Sequence, residues 1–503
     1  MRPGSLRVVH VFTAFALLGA ALLVLNRAQP FVRNELVYAR AAGRVIEYGY
    51  DPRPVVANSA LSYDKPIGFA WLGAPLVRAF GTHVGLRLAS YFGTLLYLLA
   101  ASRFVRALGA VARLELAPAE AAAALALCAF NPITAYQVWS AYPDSLFAAL
   151  VLAAWTATME LVRAPERAPS RRAAWVALAL VAGLVFKNYA LVLFACVPLY
   201  VLLHARALWR REPRPWRMAA ALAAALAACA LFAWSGRAGH NPLVRIVGEG
   251  GGAELFGRGE LVATVAGALL QVVLSLALNL GAALLFVPRR ANARFGLVAA
   301  ALAFGGPYVA GLMVHPATYY NMRYFLPLLP LAAVAGVHGA RAARPAARRA
   351  AFVAQAAIAS ALVLAFDVAS VNALAEPAIP KLVYARGLFE QGLLDNLRMG
   401  HHRARAADLA LMNASVEPNG ALYLIDCHYY KDALHGVYEA AGLLRPDIVV
   451  RYVDAGDLRP AEARFWAWTY YTDRDAIAGL GRLTQLGPDF YRVDRASEAV
   501  APR

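Results

Sequence analysis

The sequence predicts an all-α polytopic membrane protein of about eleven transmembrane helices, followed by a small extracytoplasmic α/β domain at the C-terminus. Three observations predict this. Of the 503 residues, 60% are hydrophobic and 16% are charged, whereas soluble domains are about 45–50% apolar and about 25% charged. The apolar residues form runs long enough to cross a bilayer, and the composition changes sharply after residue 372. An ordinary cytosolic enzyme, a disordered chain and a fibrous repeat are therefore excluded.

The apolar runs set the expected order of the helices. A transmembrane helix needs about 20 consecutive apolar residues. The first run, residues 8–26, is long and has no small-residue cleavage site before Arg27, so we expect an uncleaved helix. Further runs follow at 84–104, 115–133, 144–162, 173–187, 189–204, 216–235, 260–287, 295–314, 323–340 and 350–371. They define a membrane domain, residues 1–372, and a soluble domain, residues 373–503.

The charge distribution predicts the orientation. Lys and Arg outnumber Asp and Glu by 49 to 31, a formal net charge of +18. In a soluble protein this would favour nucleic-acid binding, but in a membrane protein basic residues in alternate loops mark the cytoplasmic side. Here the arginines cluster around 2–7, 103–113, 163–172, 206–217, 289–294 and 341–349. The Ala- and Arg-rich composition is typical of GC-rich bacteria. We expect a multi-pass bacterial inner-membrane protein with a cytoplasmic N-terminus and a periplasmic C-terminal domain.

The C-terminal domain, residues 373–503, reads as strand and helix in alternation. Segments 420–426, 447–454 and 464–471 are rich in β-branched and aromatic residues, which favour strands. Segment 432–444 between the first two reads as a helix, so a small α/β domain is predicted. The four cysteines predict no disulfide, because Cys128, Cys196 and Cys229 lie in apolar runs and Cys427 stands alone.

The loop after the first span, residues 27–82, is too polar to cross the bilayer and too periodic to be plain loop. Its apolar residues predict juxtamembrane helices, with an apolar stripe of Leu36, Ala39, Val45 and Ile46 on the membrane surface. Charged residues punctuate the loop: Glu35, Glu47, Asp51, Asp64 and Lys65. A solvated loop accounts for such charges by default, so their order carries the functional argument.

That order resembles the GT-C glycosyltransferases, polytopic enzymes that take a sugar from a polyprenyl-phosphate carrier. The similarity is to the lipid A aminoarabinose transferases and protein O-mannosyltransferases in particular. The matching residues are Asn34-Glu35, Tyr38-Ala39, Tyr63-Asp64-Lys65-Pro66 with Trp71, Ala141-Tyr142-Pro143-Asp144, and Arg323-Tyr324 before Pro327 and Pro330. They extend over about residues 1–345, and the ordered set carries the resemblance, since no single motif is specific.

The resemblance implies a GT-C-like arrangement of helices and transfer of a pentosyl or hexosyl group to a hydroxyl acceptor outside the cytoplasm, with inversion at the anomeric carbon. One position departs from the family. The first acid of the loop is usually Asp, and here it is Asn34. An amide cannot act as a base. Either Glu35, one residue on, has taken this role, or the alignment with the family shifts by one residue here, or the activity is altered.

The implied reaction needs a base near the acceptor hydroxyl. Glu35 is the first candidate, and Asp144 and Asp64 are further catalytic candidates. Each has an ordinary alternative. Glu35 is also explained as an interfacial carboxylate, Asp144 as a helix cap, and Asp64 as a partner of a loop arginine.

The reaction also needs cations on the departing phosphate. Lys65 and Arg323 are candidates, because both bind phosphate and Arg can do so with two nitrogens. Tyr324 is a hydrogen-bond donor to the same group, and Lys187 is a candidate because ionisable residues within spans are often functional. The alternatives are snorkelling toward headgroups and, for Tyr324, interfacial anchoring.

We expect no metal and no cofactor besides the lipid-linked sugar. The pair His401-His402 lacks the ligand spacing of a zinc site, and the glycine-rich run 248–252 lacks a phosphate-loop lysine. The expected partners are a polyprenyl-phosphate sugar, a glycan, lipid or protein acceptor, and membrane lipid. No nucleic-acid partner is expected.

Two other classes remain open. A flippase or transporter of a polyprenyl-linked saccharide fits the spans, although such proteins place polar residues in mid-span and often show internal repeats. An inactive structural membrane protein would account for Asn34. Convergence of Glu35, Asp64, Lys65, Asp144 and Arg323 on one outward cavity would favour the transferase.

Overall fold

In the computed structural model the chain is mostly helical and has a small β-sheet near its C-terminus. The structure describes residues 7–25, 34–58, 66–164, 169–206, 210, 215–234, 273, 276–277, 279–281, 286, 291–313, 322–365, 410–425, 445–453, 458–469, 475–487 and 490–495. The chain divides into two compact units. The helical unit comprises residues 1–27, 38–363 and 368–374, and the second unit comprises residues 28–37, 364–367 and 375–503.

The helices follow the predicted apolar runs closely. They are α1 (Val8–Leu25), α2 (Asn34–Tyr48), α3 (Pro52–Asn58), α4 (Gly68–Phe80), α5 (Thr82–Val111), α6 (Pro118–Ala129), α7 (Pro132–Trp139), α8 (Asp144–Arg163), α9 (Pro169–Phe186), α10 (Leu193–Leu203), α11 (Pro215–Trp234), α12 (Ala291–Ala300), α13 (Gly306–Met313), α14 (Leu329–Gly339) and α15 (Pro345–Ala365). Short 3₁₀ turns at Asn188–Val192 and Met322–Leu328 precede α10 and α14.

Within the described residues, four helices are long and apolar enough to cross a membrane: Val8–Leu25, Thr82–Val111, Asp144–Arg163 and Arg323–Ala342. A fifth is added if α6 and α7, bent by 58°, form one span. Shorter apolar helices lie at 189–203, 222–231 and 296–311. A membrane protein is thus confirmed, while the total of about eleven spans stays a prediction, since most of run 260–287 lies outside the described residues.

The run 115–133 is not one straight helix. α6 ends at Ala129, and a new helix begins at Pro132 because Asn131 caps it, its side chain accepting a hydrogen bond from the Thr134 amide at 3.0 Å. Proline at the first helical position needs no hydrogen-bond partner for its nitrogen. After this bend α7 runs to Trp139, and a turn of four residues connects it to Asp144.

The loop after α1 contains three helices, α2, α3 and α4. Val37, Ala41 and Val45 of α2 are buried and repeat every four residues, as one face of a helix does. Ile46 is exposed and Ala39 is half-buried. The contact of these helices and of the apolar stripe with the membrane surface stays a prediction.

The core of the helical unit is aromatic. Trp155 of α8 is fully buried, and its ring stacks on Phe304 with centroids 5.0 Å apart and meets Tyr308 edge-on at 6.0 Å. Phe104 of α5 closes the other side at 6.0 Å. Such contacts hold α5, α8 and the segment 301–308 together.

A polar contact joins α6 to the end of the span that follows Arg323. Arg341 donates to both oxygens of Glu120, to the Leu114 carbonyl at 3.0 Å and to the Glu115 carbonyl at 2.7 Å. This arginine belongs to a cluster that was expected only to orient the chain. It also satisfies carbonyls of the turn between α5 and α6.

The second unit contains a five-stranded sheet with strand order β2-β1-β3-β5-β4. The strands are β1 (Ala421–Ile425), β2 (Val449–Val453), β3 (Arg464–Trp468), β4 (Arg482–Gly487) and β5 (Phe490–Asp494). The first three are the predicted strands and pair in parallel, whereas β5 pairs antiparallel with β3 and β4. The predicted helix 432–444 lies outside the described residues.

Every residue of β1 is buried, as expected for a central parallel strand covered on both faces. At the sheet surface Arg464 donates to Asp494 of the neighbouring strand at 2.6 Å, and this hydrogen bond lowers the pKa of Asp494. The pair therefore stabilises the sheet above the unfolded pKa of about 3.9. Its contribution is lost as the pH falls through the lowered value.

We expect Trp155→Ala to lower the free energy of unfolding of the helical unit by about 3–5 kcal/mol, because the cavity removes ring contacts to three neighbours. Thermal unfolding of the purified protein in detergent measures this. The matched control is Trp175→Ala, since Trp175 is 55% exposed, and its effect should stay near about 0.5 kcal/mol. Equal losses in the two variants would contradict this account of the core.

Candidate functional site

Four of the predicted site residues lie together in the helical unit. Asp144 is the first residue of α8 and Lys187 lies between α9 and the turn Asn188–Val192. Arg323 and Tyr324 lie in the turn Met322–Leu328. All four stand where a helix begins or is interrupted, so their side chains leave the regular helical surface.

The centre of the cluster is the carboxylate of Asp144. Its Oδ1 accepts a hydrogen bond from the ammonium group of Lys187. Its Oδ2 lies 3.5 Å from Nε of Arg323. Asp144, Lys187 and Arg323 are only 2%, 5% and 6% exposed. One negative and two positive charges are therefore buried together.

Aromatic rings surround the two cations. The Lys187 ammonium lies 4.1 Å from the centroid of the Tyr324 ring. The Arg323 guanidinium carbon lies 4.1 Å from the Tyr142 ring and 5.2 Å from the Tyr324 ring. Cation–π attraction grows as water is removed, so the rings offset part of the cost of burying two cations.

The backbone explains why these side chains can meet. The Lys187 amide closes α9 by donating to the Gly183 carbonyl at 2.8 Å, and Lys187 itself is extended, with φ −156° and ψ 140°. Asp144 follows Pro143 and opens α8, where free amide groups and the helix dipole favour an anion. The Tyr324 carbonyl accepts the hydroxyl of Tyr308 at 2.8 Å, which holds the 3₁₀ turn in place.

The remaining candidates are not part of this cluster as described. Asp64 and Lys65 lie outside the described residues, as do His401, His402 and the run 248–252. Glu35 lies in the first turn of α2, is 3% exposed and belongs to the second unit.

The sequence does not predict a role for several tyrosines of the site. Tyr142 belongs to the motif Ala141-Tyr142-Pro143-Asp144, and in the structure its ring stacks on Arg323. Tyr189, two residues after Lys187, packs against Tyr324 with centroids 5.5 Å apart. Proximity in sequence to a candidate could have indicated both. Tyr308 gave no such signal, because only packing brings α13 next to the turn Met322–Leu328.

Within the described residues, no group of three or more His, Cys, Asp or Glu side chains could hold a metal ion. The site instead offers an anion two buried cations, Lys187 and Arg323, both hydrogen-bond donors, next to the aromatic rings of Tyr142 and Tyr324. Such a site can neutralise a phosphate group without a metal.

Comparison with known structures identifies the fold. The chain superposes on a crystal structure of ArnT from Cupriavidus metallidurans in the apo state with a TM-score of 0.51 at 16% identity, covering 98% of this chain and 99% of that chain. The fold is of the GT-C type. A second crystal structure of ArnT, bound to undecaprenyl phosphate, gives a TM-score of 0.50 at 16% identity, again covering 98% of this chain and 99% of that chain.

Sequence comparison adds no further relationship. The chain matches no protein-family profile, and no curated protein matches it. The GT-C fold therefore rests on three-dimensional similarity over nearly the whole chain, together with the ordered residues of the membrane domain.

The charge balance of the cluster predicts an effect on stability. Asp144→Asn leaves two buried cations without their carboxylate, and removing one partner of a buried ion pair costs about 3–5 kcal/mol. The double variant Asp144→Asn, Lys187→Met restores the net charge of one and should recover most of this loss. Thermal unfolding in lipid nanodiscs measures both.

Asp51→Asn is the control, because Asp51 is an exposed carboxylate paired with Arg53. It should leave the unfolding temperature unchanged. If the double variant were less stable than Asp144→Asn alone, charge compensation would not be what holds the cluster together.

Proposed function

We propose that this chain is a membrane glycosyltransferase that moves a sugar from a polyprenyl-phosphate carrier to a hydroxyl acceptor. The observation that carries the proposal is the buried pair of cations, Lys187 and Arg323, which meet at the carboxylate of Asp144. It lies at helix ends of a GT-C fold. One of the similar crystal structures has undecaprenyl phosphate bound, and this supports the same class of carrier here.

The cations suit a lipid-linked phosphate. Arg323 presents a planar guanidinium that can donate two hydrogen bonds to phosphate oxygens, and Lys187 adds a compact charge. A phosphate that links a lipid to a sugar carries one negative charge. Lys187 and Arg323 offer it positive charge and hydrogen-bond donors from two side chains. As the bond to the sugar breaks, the leaving phosphate gains charge, and fixed cations in a dry site stabilise that gain.

We infer that Asp144 is not the catalytic base. Both of its oxygens face cations, at Lys187 and at Arg323, so neither is directed at an acceptor. We infer that it holds the two cations at the spacing a phosphate requires. Asp64, Lys65 and Tyr324 stay proposed members of the same site.

The reaction is a single displacement. The acceptor oxygen attacks the anomeric carbon while the bond from that carbon to the phosphate oxygen breaks, and the electron pair leaves with the phosphate. The acceptor proton passes to a carboxylate, for which Glu35 is the proposed base. Attack from the side opposite the phosphate inverts the configuration. The step needs neither a redox cofactor nor a metal.

The donor sugar is a pentosyl or hexosyl group, and the acceptor is a glycan, lipid or protein. We place the reaction at the outer side of the bacterial inner membrane, with the N-terminus in the cytoplasm and residues 373–503 in the periplasm. A flippase is the weaker proposal, because transporters place polar residues near mid-span, whereas Asp144, Lys187 and Arg323 lie at helix ends.

Mass spectrometry of lipid-linked sugars and envelope glycans in a deletion strain tests the proposed transferase activity. Accumulation of one lipid-linked sugar with loss of one modified acceptor is expected, and an unchanged profile would contradict it.

Arg323→Ala should weaken binding of the carrier and lower transfer by about 10²-fold or more, because one electrostatic contact to the leaving group is lost. Binding of undecaprenyl phosphate to the purified protein in nanodiscs provides the measurement. Arg106→Ala is the control, since Arg106 lies exposed on α5. Unchanged binding in Arg323→Ala would leave interaction with lipid headgroups as the better account of this arginine.

Glu35→Gln keeps the shape of the side chain and removes its charge. Transfer should fall by about 10²–10⁴-fold if Glu35 is the base, while carrier binding stays nearly intact. Glu47→Gln is the matched control, because Glu47 is an exposed carboxylate on the same helix, paired with Arg44. Normal turnover in Glu35→Gln would refute Glu35 as the base. Normal turnover in both Glu35→Gln and Asp144→Asn would refute the mechanism as a whole.

A further inference from the structure

The turn between α7 and α8 contains Tyr142 of the site and is followed directly by Asp144. α7 ends at Trp139 and α8 begins at Asp144, so the turn consists of residues 140–143, all of them buried. The last carbonyls of a helix have no partner within the helix. In a buried turn they need donors from elsewhere in the protein.

Two side chains of α5 supply those donors. The Ser90 hydroxyl lies 2.8 Å from the Gln137 carbonyl and 3.1 Å from the Tyr142 carbonyl, so its single hydrogen is shared between the two. Arg87, three residues earlier on α5, donates through Nε to the Trp139 carbonyl at 2.7 Å. One face of α5 therefore binds the end of α7 and the turn itself.

The same face of α5 also meets the start of α8. The Ser145 hydroxyl donates to the Ser90 carbonyl at 3.3 Å. Gly93 lies so close to α8 that a Cβ atom there would stand 3.0 Å from Oγ of Ser145 and 3.1 Å from Cβ of Leu146. The backbones of α5 and α8 can approach each other because Gly93 has no side chain. This close approach fixes the distance of α5 from Ser145 and from its neighbour Asp144.

We propose that Ser90 and Gly93 are positioning residues for the anion site, an inference that rests on the proposed function. Ser90 holds the backbone of Tyr142, whose ring supports Arg323. Gly93 sets how far α8 stands from α5, and with it the place of the Asp144 carboxylate between Lys187 and Arg323. Neither residue touches the reacting atoms. They act by setting the distance between the two cations that receive the phosphate.

Ser90→Ala tests the hydroxyl. Loss of one shared hydrogen bond to the turn should lower transfer and weaken binding of undecaprenyl phosphate by about 10-fold. Gly93→Ala should also lower both, because a Cβ atom at this position forces Ser145 and Leu146 of α8 to move away from α5. Ser90→Thr keeps the hydroxyl and should restore much of the loss. Thr158→Ala is the control, since Thr158 is a buried hydroxyl of α8 that bonds to the Ala154 carbonyl of its own helix.

A double-mutant cycle separates positioning from a general loss of stability. If Ser90 acts through Tyr142, Ser90→Ala should cause no further loss of carrier binding in the Tyr142→Leu background. Full additivity of the two effects overturns the proposal. So does unchanged binding in both Ser90→Ala and Gly93→Ala.

An electron cryo-microscopy structure of Ser90→Ala in nanodiscs makes the test independent of catalysis. The expected result is displacement of the Tyr142 ring from Arg323, with α8 retained. A structure in which the contact between Tyr142 and Arg323 is unchanged overturns the positioning role of Ser90. Absence of sugar transfer by the unmodified protein would refute the proposed function, while this structural comparison would still decide whether Ser90 positions Tyr142.

Discussion

The ion pairs of Asp144 with Lys187 and Arg323 are the interaction on which the site depends. Burying a charge costs several kcal/mol unless it is paired and hydrogen-bonded, and here three charges are almost completely buried. The carboxylate faces both cations, and the rings of Tyr142 and Tyr324 offset part of the cost of burying them. Two cations held in this way make an anion a suitable ligand.

The site exists because helices are interrupted at the same place. Asp144 follows a turn, Lys187 follows the end of α9, and Arg323 lies in a 3₁₀ turn that contains Pro327. Irregular backbone is tolerated at membrane depth only where protein groups satisfy its hydrogen bonds. Side chains of α5 do this for the turn before Asp144. Functional side chains and the residues that satisfy the broken backbone therefore belong to one arrangement.

The arginines show how little a residue's class reveals about its role. Arg341 belongs to a basic loop cluster, yet it bonds Glu120 and the carbonyls of the turn between α5 and α6. Arg87 attracted no attention in the sequence, yet it is buried and bonds the end of α7. Arg323 faces a carboxylate and two aromatic rings. Each outcome depends on a partner that is distant in the chain.

The sequence by itself determined the positions of the apolar helices, the three parallel strands and the chemical groups at the ends of the spans. It did so because hydrophobic periodicity, strand composition and the placement of charged residues are local properties of the chain. The antiparallel strands β4 and β5 were not predicted, and in β4, Arg482–Gly487, polar and apolar residues alternate only weakly. Only the tertiary structure decided that Asp144 meets Lys187 and Arg323, and that Tyr308 and Ser90 support them. These residues are far apart in the chain, so helix packing alone sets the distances between their side chains.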